Sequence, residues 1–138
     1  PEAAQIALNC GAPVTFISLD ATHSASLTLK DADILEKIGT FSGKFTSSII
    51  KQRAEYDSAV MGRNLDRTPV HDSLAVCAAI DSSVITEYEN CHVRIALNGI
   101  AEGRTIIDRR EKPCEFNCKF AVKASHDKYM EMLKKYLS

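Results

Sequence analysis

No charge of one sign dominates this chain. Its 17 Lys and Arg nearly balance 18 Asp and Glu over 138 residues, so there is no basic field to draw nucleic acid and no acidic tail. No apolar run approaches the roughly 20 residues that span a bilayer. The opening Pro1-Glu-Ala-Ala-Gln5 has neither a signal-peptide pattern nor an initiator methionine, and a start at Pro1 gives the expectation of a chain cut from something longer. Internal repeats, low-complexity tracts and linkers are also missing. The length therefore fits a single domain, large enough to bury about two-thirds of its unfolded surface. The cysteines lack the pairing of a disulfide framework: Cys10, Cys77, Cys91, Cys114 and Cys118 are odd in number and dispersed. They read as reduced thiols in an intracellular, cytoplasmic protein. Cys114-x3-Cys118, with His126 further on, also lacks the paired close spacings of a zinc site.

What is present centres on Thr68-Pro-Val-His-Asp-Ser-Leu-Ala-Val-Cys-Ala-Ala-Ile-Asp81. The Thr-Pro pair suits a helix start, where Thr accepts from free backbone N–H groups and Pro fits the first turn. Seven residues from Leu74 to Ile80 then carry no polar atom beyond a thiol, and a helix apolar all round is expected to be buried. His71 and Asp72 thus stand at the mouth of a buried helix, where side chains can reach a pocket from a fixed backbone. The alternative is that Asp72 only caps the helix and offsets its dipole, for about 0.5–2 kcal/mol.

Ahead of this stretch, residues 2–10 read as a short helix closed by Gly11. Val14-Thr-Phe-Ile-Ser-Leu19 is β-branched and apolar on both faces, as a buried parallel strand is. Asp20-Ala-Thr-His23 follows it, where ligands gather in open parallel sheets; the plainer reading has Asp20 and Thr22 tying down a loop. Thr28-Leu-Lys-Asp31 opens a helix with a capping box and stops at Gly39. A second helix, 43–61, carries Phe45, Ile49, Ile50, Tyr56 and Val60 loosely on one face. After Asp81 the period shortens. Cys91, Val93 and Ile95 alternate with His92 and Arg94 along a half-buried strand, with His92 toward solvent. Asn98-Gly99 marks a turn. Residues 105–109 and 118–123 form two more strands, linked by the Pro113 loop. Residues 125–137 form an amphipathic helix capped by Ser125, with Tyr129, Met132, Leu133 and Tyr136 on one face and His126 in the capping turn.

Four blocks together resemble the C-terminal part of the inosine-uridine-preferring nucleoside hydrolases, in order and over essentially the whole chain: Pro1-Glu-Ala-Ala4; Val14-Thr-Phe-Ile-Ser-Leu-Asp-Ala-Thr-His23; Val70-His-Asp-Ser-Leu-Ala-Val76 with Ala79-Ile-Asp81; and Gly103-Arg-Thr-Ile-Ile-Asp108. The resemblance implies an α/β fold, the C-terminal portion of a Rossmann-like nucleoside hydrolase domain. A parallel-sheet strand and helices would be followed by a small strand-rich segment and a closing helix. It also implies hydrolysis of ribonucleosides to ribose and base with bound Ca2+. Asp72 matches a calcium-ligating aspartate, His71 a histidine that protonates the leaving base, and Tyr56 an aromatic laid over the base. Gln52 and Arg53 stand where other members carry further aromatics, which leaves base preference open. These roles make chemical sense: calcium takes hard oxygen ligands and can activate a water, and imidazole titrates near about 6.5.

The family's Asp-x-Asp-x-x-x-Asp-Asp cluster does not occur in these 138 residues; Asp31-Ala-Asp33 is the nearest approach. One carboxylate cannot build a calcium site of about six to eight oxygens. The expectation is a C-terminal half-domain, inactive alone, that self-associates as a homo-oligomer or pairs with a missing N-terminal half. The competing expectation is a non-catalytic module that keeps the scaffold for binding or assembly. A third reading, His71-Asp72 as the metal pair of an all-helical phosphohydrolase, conflicts with the strands expected after Asp81.

Overall fold

The computed structural model describes residues 1–62, 65–109 and 115–138. In chain order the elements are α1 (Glu2–Leu8), β1 (Thr15–Ile17), α2 (Leu19–Ser24), β2 (Leu27–Thr28), α3 (Leu29–Glu36), α4 (Phe41–Met61), β3 (Arg67–Thr68), α5 (His71–Ile80), β4 (Ile85–Ile95), β5 (Thr105–Asp108), β6 (Cys118–Ala124) and α6 (His126–Leu137). The main sheet is mixed and runs β1-β6-β4-β5, with β2 and β3 forming a small antiparallel ribbon. β1 pairs parallel to β6, Phe16 opposite Phe120, whereas β4 pairs antiparallel to both β6 and β5. The α/β class and the parallel start are as expected. Among the described residues no helix is long and apolar enough to cross a membrane.

Two apolar clusters flank this sheet. The larger joins Ala21, Leu35, Ile50, Leu74, Ala121 and Tyr129, gathered from five helices and β6. The smaller holds Leu8, Cys91, Val93, Ile95, Cys118 and Phe120. Period-2 alternation holds along β4, where Cys91, Val93 and Ile95 are buried and Arg94 is exposed. His92 is half-buried, its Nδ1 2.8 Å from the Glu115 carbonyl. On α6, Tyr129, Met132 and Leu133 are buried as expected, but Met130 joins them while Tyr136 is half exposed.

Several sequence expectations need correcting. The strand after Pro13 is only Thr15–Ile17 and is half-buried, because it ends the sheet with β6 on one side alone. Leu19 to Ser24 form a helix and not a loop, because Ser18 caps it, its Oγ accepting from Ala21 N at 3.2 Å. α1 ends at Leu8, two residues earlier than residue 10. α5 starts at His71 and not at Thr68, which belongs to β3 opposite Leu27. Nor is α5 buried all round: Leu74 and Cys77 are covered, yet Val76 is 59% and Ile80 53% exposed. Its inner face packs on α2 and α6, and among the described residues nothing covers the other. The Pro113 loop and Cys114 lie outside the described residues. Cys118 sits opposite Cys91 in the sheet while His126 bonds Asp31, so the two point to different partners.

α4 departs furthest. Its buried face is Gly43, Ser47, Ile50 and Ala54, whereas Phe41, Phe45, Tyr56 and Val60 are all exposed. Small residues line the buried face because α3 lies close. A Cβ on Gly43 would stand 2.6 Å from the Leu35 backbone oxygen. The helix stops at Gly62, whose φ of 61° is the left-handed cap that glycine adopts without strain. Gly43→Ala is expected to push α3 from α4 and cost about 1–3 kcal/mol, read as a lower denaturation midpoint with an unchanged denaturant slope. An unchanged midpoint would contradict the close approach.

His126 ties the first turn of α6 to α3. Its Nε2 is 2.9 Å from Asp31 Oδ2, and the same carboxylate accepts from Thr28 N and Oγ1 in the expected capping box. For His126, burial disfavours the cation, but the bonds and charges of Asp31 and Asp127 outweigh it and hold the pKa above 6.5. For Asp31, burial favours the neutral acid, but Thr28 and His126 outweigh it and hold the pKa below 3.8. The histidine's contribution is full below pH 6.5 and is lost as pH rises through its folded pKa. The aspartate's is full above pH 3.8 and is lost as pH falls through its folded value. The clasp is therefore strongest between these limits. With His126 about one-third exposed, screening keeps its share under about 1 kcal/mol. Stability is expected to fall by that much above neutral pH, and His126→Gln to remove the dependence; an unchanged pH profile in the variant would contradict it.

Candidate active site

α5 carries His71 and Asp72 on its first turn. Its N-cap, Val70, offers no side-chain bond. Among the described residues Asp72 makes no capping bond either, so of the structural reading the offset of the helix dipole is the part that holds. Its carboxylate stays exposed, at a helix end that favours negative charge. Ser73, next along, shares a hydrogen bond with the Tyr129 hydroxyl, which braces α5 against α6. Burial pushes that tyrosine up to about 12, so it stays a neutral hydrogen-bonding group.

His71 is held from a distance in sequence. Its Nδ1 lies 2.8 Å from Thr22 Oγ1, and Thr22 also donates to the Leu19 carbonyl at 3.1 Å. Thr22 is buried, on a helix sewn to β6 at both ends: Ser18 Oγ donates to Ala121 O at 2.7 Å, and Ala124 N donates to Ser24 Oγ at 2.9 Å. The exposed His23 ring stands 5.9 Å from that of His71, tilted by 33°. Asp20 is exposed on the first turn of the same helix. The structure thus joins Thr22, His23 and His71 and leaves Asp20 apart from them.

On α4, Tyr56 is 61% exposed, with the Arg53 guanidinium 5.6 Å from its ring centre. Gln52 is exposed too. Asp57, which the sequence reading passed over, accepts from Thr68 Oγ1 at 2.6 Å and from Arg53 Nε at 2.9 Å. The Thr68 bond chiefly holds its carboxyl below the ordinary range; burial opposes, while Arg53 and the nearby His71 assist. The only hint in the sequence was the Arg53-x-x-x-Asp57 spacing of a helical ion pair.

Two clefts lie away from His71 and Asp72: one of about 930 Å³ between α1, β4 and β5, lined by Gln5, His92 and Arg94, and one of about 660 Å³ beyond β1, lined by Phe16, Asp20 and Arg104. Neither includes His71 or Asp72. Asp72 is a hard oxygen donor of the kind calcium takes. Among the described residues, however, no three His, Cys, Asp or Glu side chains converge on one point. These residues alone therefore do not complete a calcium site. What they provide is one anchored imidazole, one exposed carboxylate next to it in sequence and, on α4, an exposed aromatic.

The profile of the inosine-uridine preferring nucleoside hydrolases matches residues 1–131. The chain is 34% identical over 132 residues to the inosine-uridine preferring nucleoside hydrolase of Leishmania major, covering 94% of this chain and 40% of that protein. To the corresponding protein of Crithidia fasciculata it is 33% identical, covering 94% and 41%. Among solved structures, a plant nucleoside hydrolase superposes with a TM-score of 0.84 at 28% identity, over 99% of this chain and 45% of that one. The purine-preferring ribonucleoside hydrolase of Gardnerella vaginalis gives 0.81 at 28% identity, over 99% and 43%. The chain thus spans about 40% of the length of the curated relatives it matches. With that match running from Pro1 through α1 and into α6, the chain belongs to the inosine-uridine preferring nucleoside hydrolase family.

Proposed function

We propose that these residues serve a nucleoside N-ribohydrolase, which splits a ribonucleoside with water into ribose and free base. The observation that carries this reading is His71 and Asp72 side by side on the first turn of α5, with the imidazole anchored through Nδ1 to a buried threonine. His71 protonates the leaving base, and Tyr56 covers that base from α4. Asp72 contributes one oxygen ligand to a Ca2+ site whose other ligands come from beyond the described residues; bound calcium would orient ribose hydroxyls and acidify a water. The test is release of free base from inosine and uridine by the full polypeptide that carries these residues. Base release supports the reading; intact nucleosides in the presence of folded protein overturn it.

A second reading, a binding or assembly module without catalysis, is favoured by one observation: the lack of converging metal ligands among the described residues. Tight nucleoside binding with no base release would select it. In either case we propose that the chain associates, with a second copy or with further sequence of its own polypeptide. β1 ends the sheet, and α4 turns Phe41, Phe45 and Val60 to solvent; an unpaired strand edge and an apolar helix face both favour a partner.

A further inference from the structure

We propose that Thr22 is a positioning residue for His71: it fixes the proton of the neutral imidazole on Nδ1 and leaves Nε2 as the nitrogen that exchanges a proton with the nucleoside base. The inference rests on reading His71 as the group that protonates that base. A hydroxyl has one proton to donate, whereas a backbone carbonyl can only accept. Thr22 Oγ1 is 3.1 Å from the Leu19 carbonyl and 2.8 Å from His71 Nδ1. With its proton given to Leu19, the oxygen can only accept from the ring, so Nδ1 carries the hydrogen. Thr22 is 2% exposed, which shuts out water as a substitute partner. Among the described residues Nε2 has no hydrogen-bond partner.

This allocation has a mechanical consequence. The nitrogen bonded to one group sets the role of the other, and the α2 anchors at Ala121 and Ala124 hold Thr22 in place against the sheet. Proton transfer through Nε2 then needs no turn of the ring. In the imidazolium form Nε2 carries a hydrogen as well. That N–H bond breaks as its proton joins a base nitrogen, leaving the ring neutral with its hydrogen on Nδ1. The electron pair of the glycosidic bond stays on the base and water bonds to the ribose carbon.

The test is nitrogen NMR of histidine-labelled full polypeptide, read for which ring nitrogen of His71 carries hydrogen. It would be run on the wild type, Thr22→Val and Thr22→Ser beside inosine turnover. The expected wild-type spectrum shows hydrogen on Nδ1, retained in Thr22→Ser and shifted toward Nε2 in Thr22→Val. Turnover in Thr22→Val is expected to fall about 10- to 100-fold in kcat with KM little changed, as a misplaced reacting group does, and Thr22→Ser should restore it. A residue that merely stabilised the fold would lower the yield of folded protein and leave both the tautomer and kcat of the folded fraction alone. Hydrogen on Nε2 in the wild type, or an unmoved spectrum in Thr22→Val, would overturn the proposal. Full turnover in His71→Ala would overturn it through the acid reading alone, because the spectrum would still show the threonine's hold.

Discussion

His71→Ala, made in the full polypeptide, is expected to lower kcat/KM for inosine by about 10²–10⁴, the range in which a positioned acid contributes. Uridine turnover should fall less. Breaking the bond to a purine leaves charge on a ring with nitrogens that accept a proton, and the variant has no imidazole to supply it. The fold should survive, since His71 sits half-buried on the first turn of α5 and the helix is held by Leu74, Cys77 and the Ser73–Tyr129 bond. Parallel measurement of kcat and KM on both nucleosides checks the assignment. Equal losses on the two would instead mean that His71 positions substrate without acting as an acid.

Asp72→Ala is expected to be more severe. The aspartate is exposed and makes no capping bond, so its removal costs the helix little beyond a favourable charge at its N-terminus, about 0.3–1 kcal/mol. On the proposed calcium role the loss falls on metal binding instead. Changing a residue that only supports a metal ligand costs about 10- to 100-fold in affinity or activity; removing a ligand with its negative charge should cost more than that. Activity at a fixed calcium concentration should drop below detection, with thermal stability in the absence of calcium nearly unchanged. Wild-type turnover in the variant would sink the ligand assignment.

Features carried by short spacings were legible in the sequence. Thr28 and Asp31 make a capping box with both bonds inside four residues, and the alternation of Cys91, Val93 and Ile95 matches the burial of β4. Val14 to Leu19, β-branched and apolar, pointed to a parallel strand, and its Thr15–Ile17 part pairs parallel with β6. Other features depend on what packs where. Six residues are too few for α2 to display a period, so Asp20 to His23 read as loop. An apolar run states that a face can be buried, not that a layer covers it, and Val76 and Ile80 stand exposed. On α4 the buried face carries Gly43, Ser47 and Ala54 beside Ile50, because close packing against α3 selects small size over hydrophobicity. The site divides in the same way. His71 and Asp72 were legible as neighbours on one helix start, whereas the Thr22 bond joins positions 49 residues apart and the Asp57–Thr68 bond joins an α4 carboxylate to a different strand.

The most direct test is the fate of inosine in the presence of the full polypeptide, followed by chromatography and a sugar assay with calcium present and then chelated. Hypoxanthine and ribose appearing in equal amounts, and stopping on chelation, is the expected result. Inosine left intact by protein that is folded and supplied with calcium would contradict a hydrolase built around His71 and Asp72.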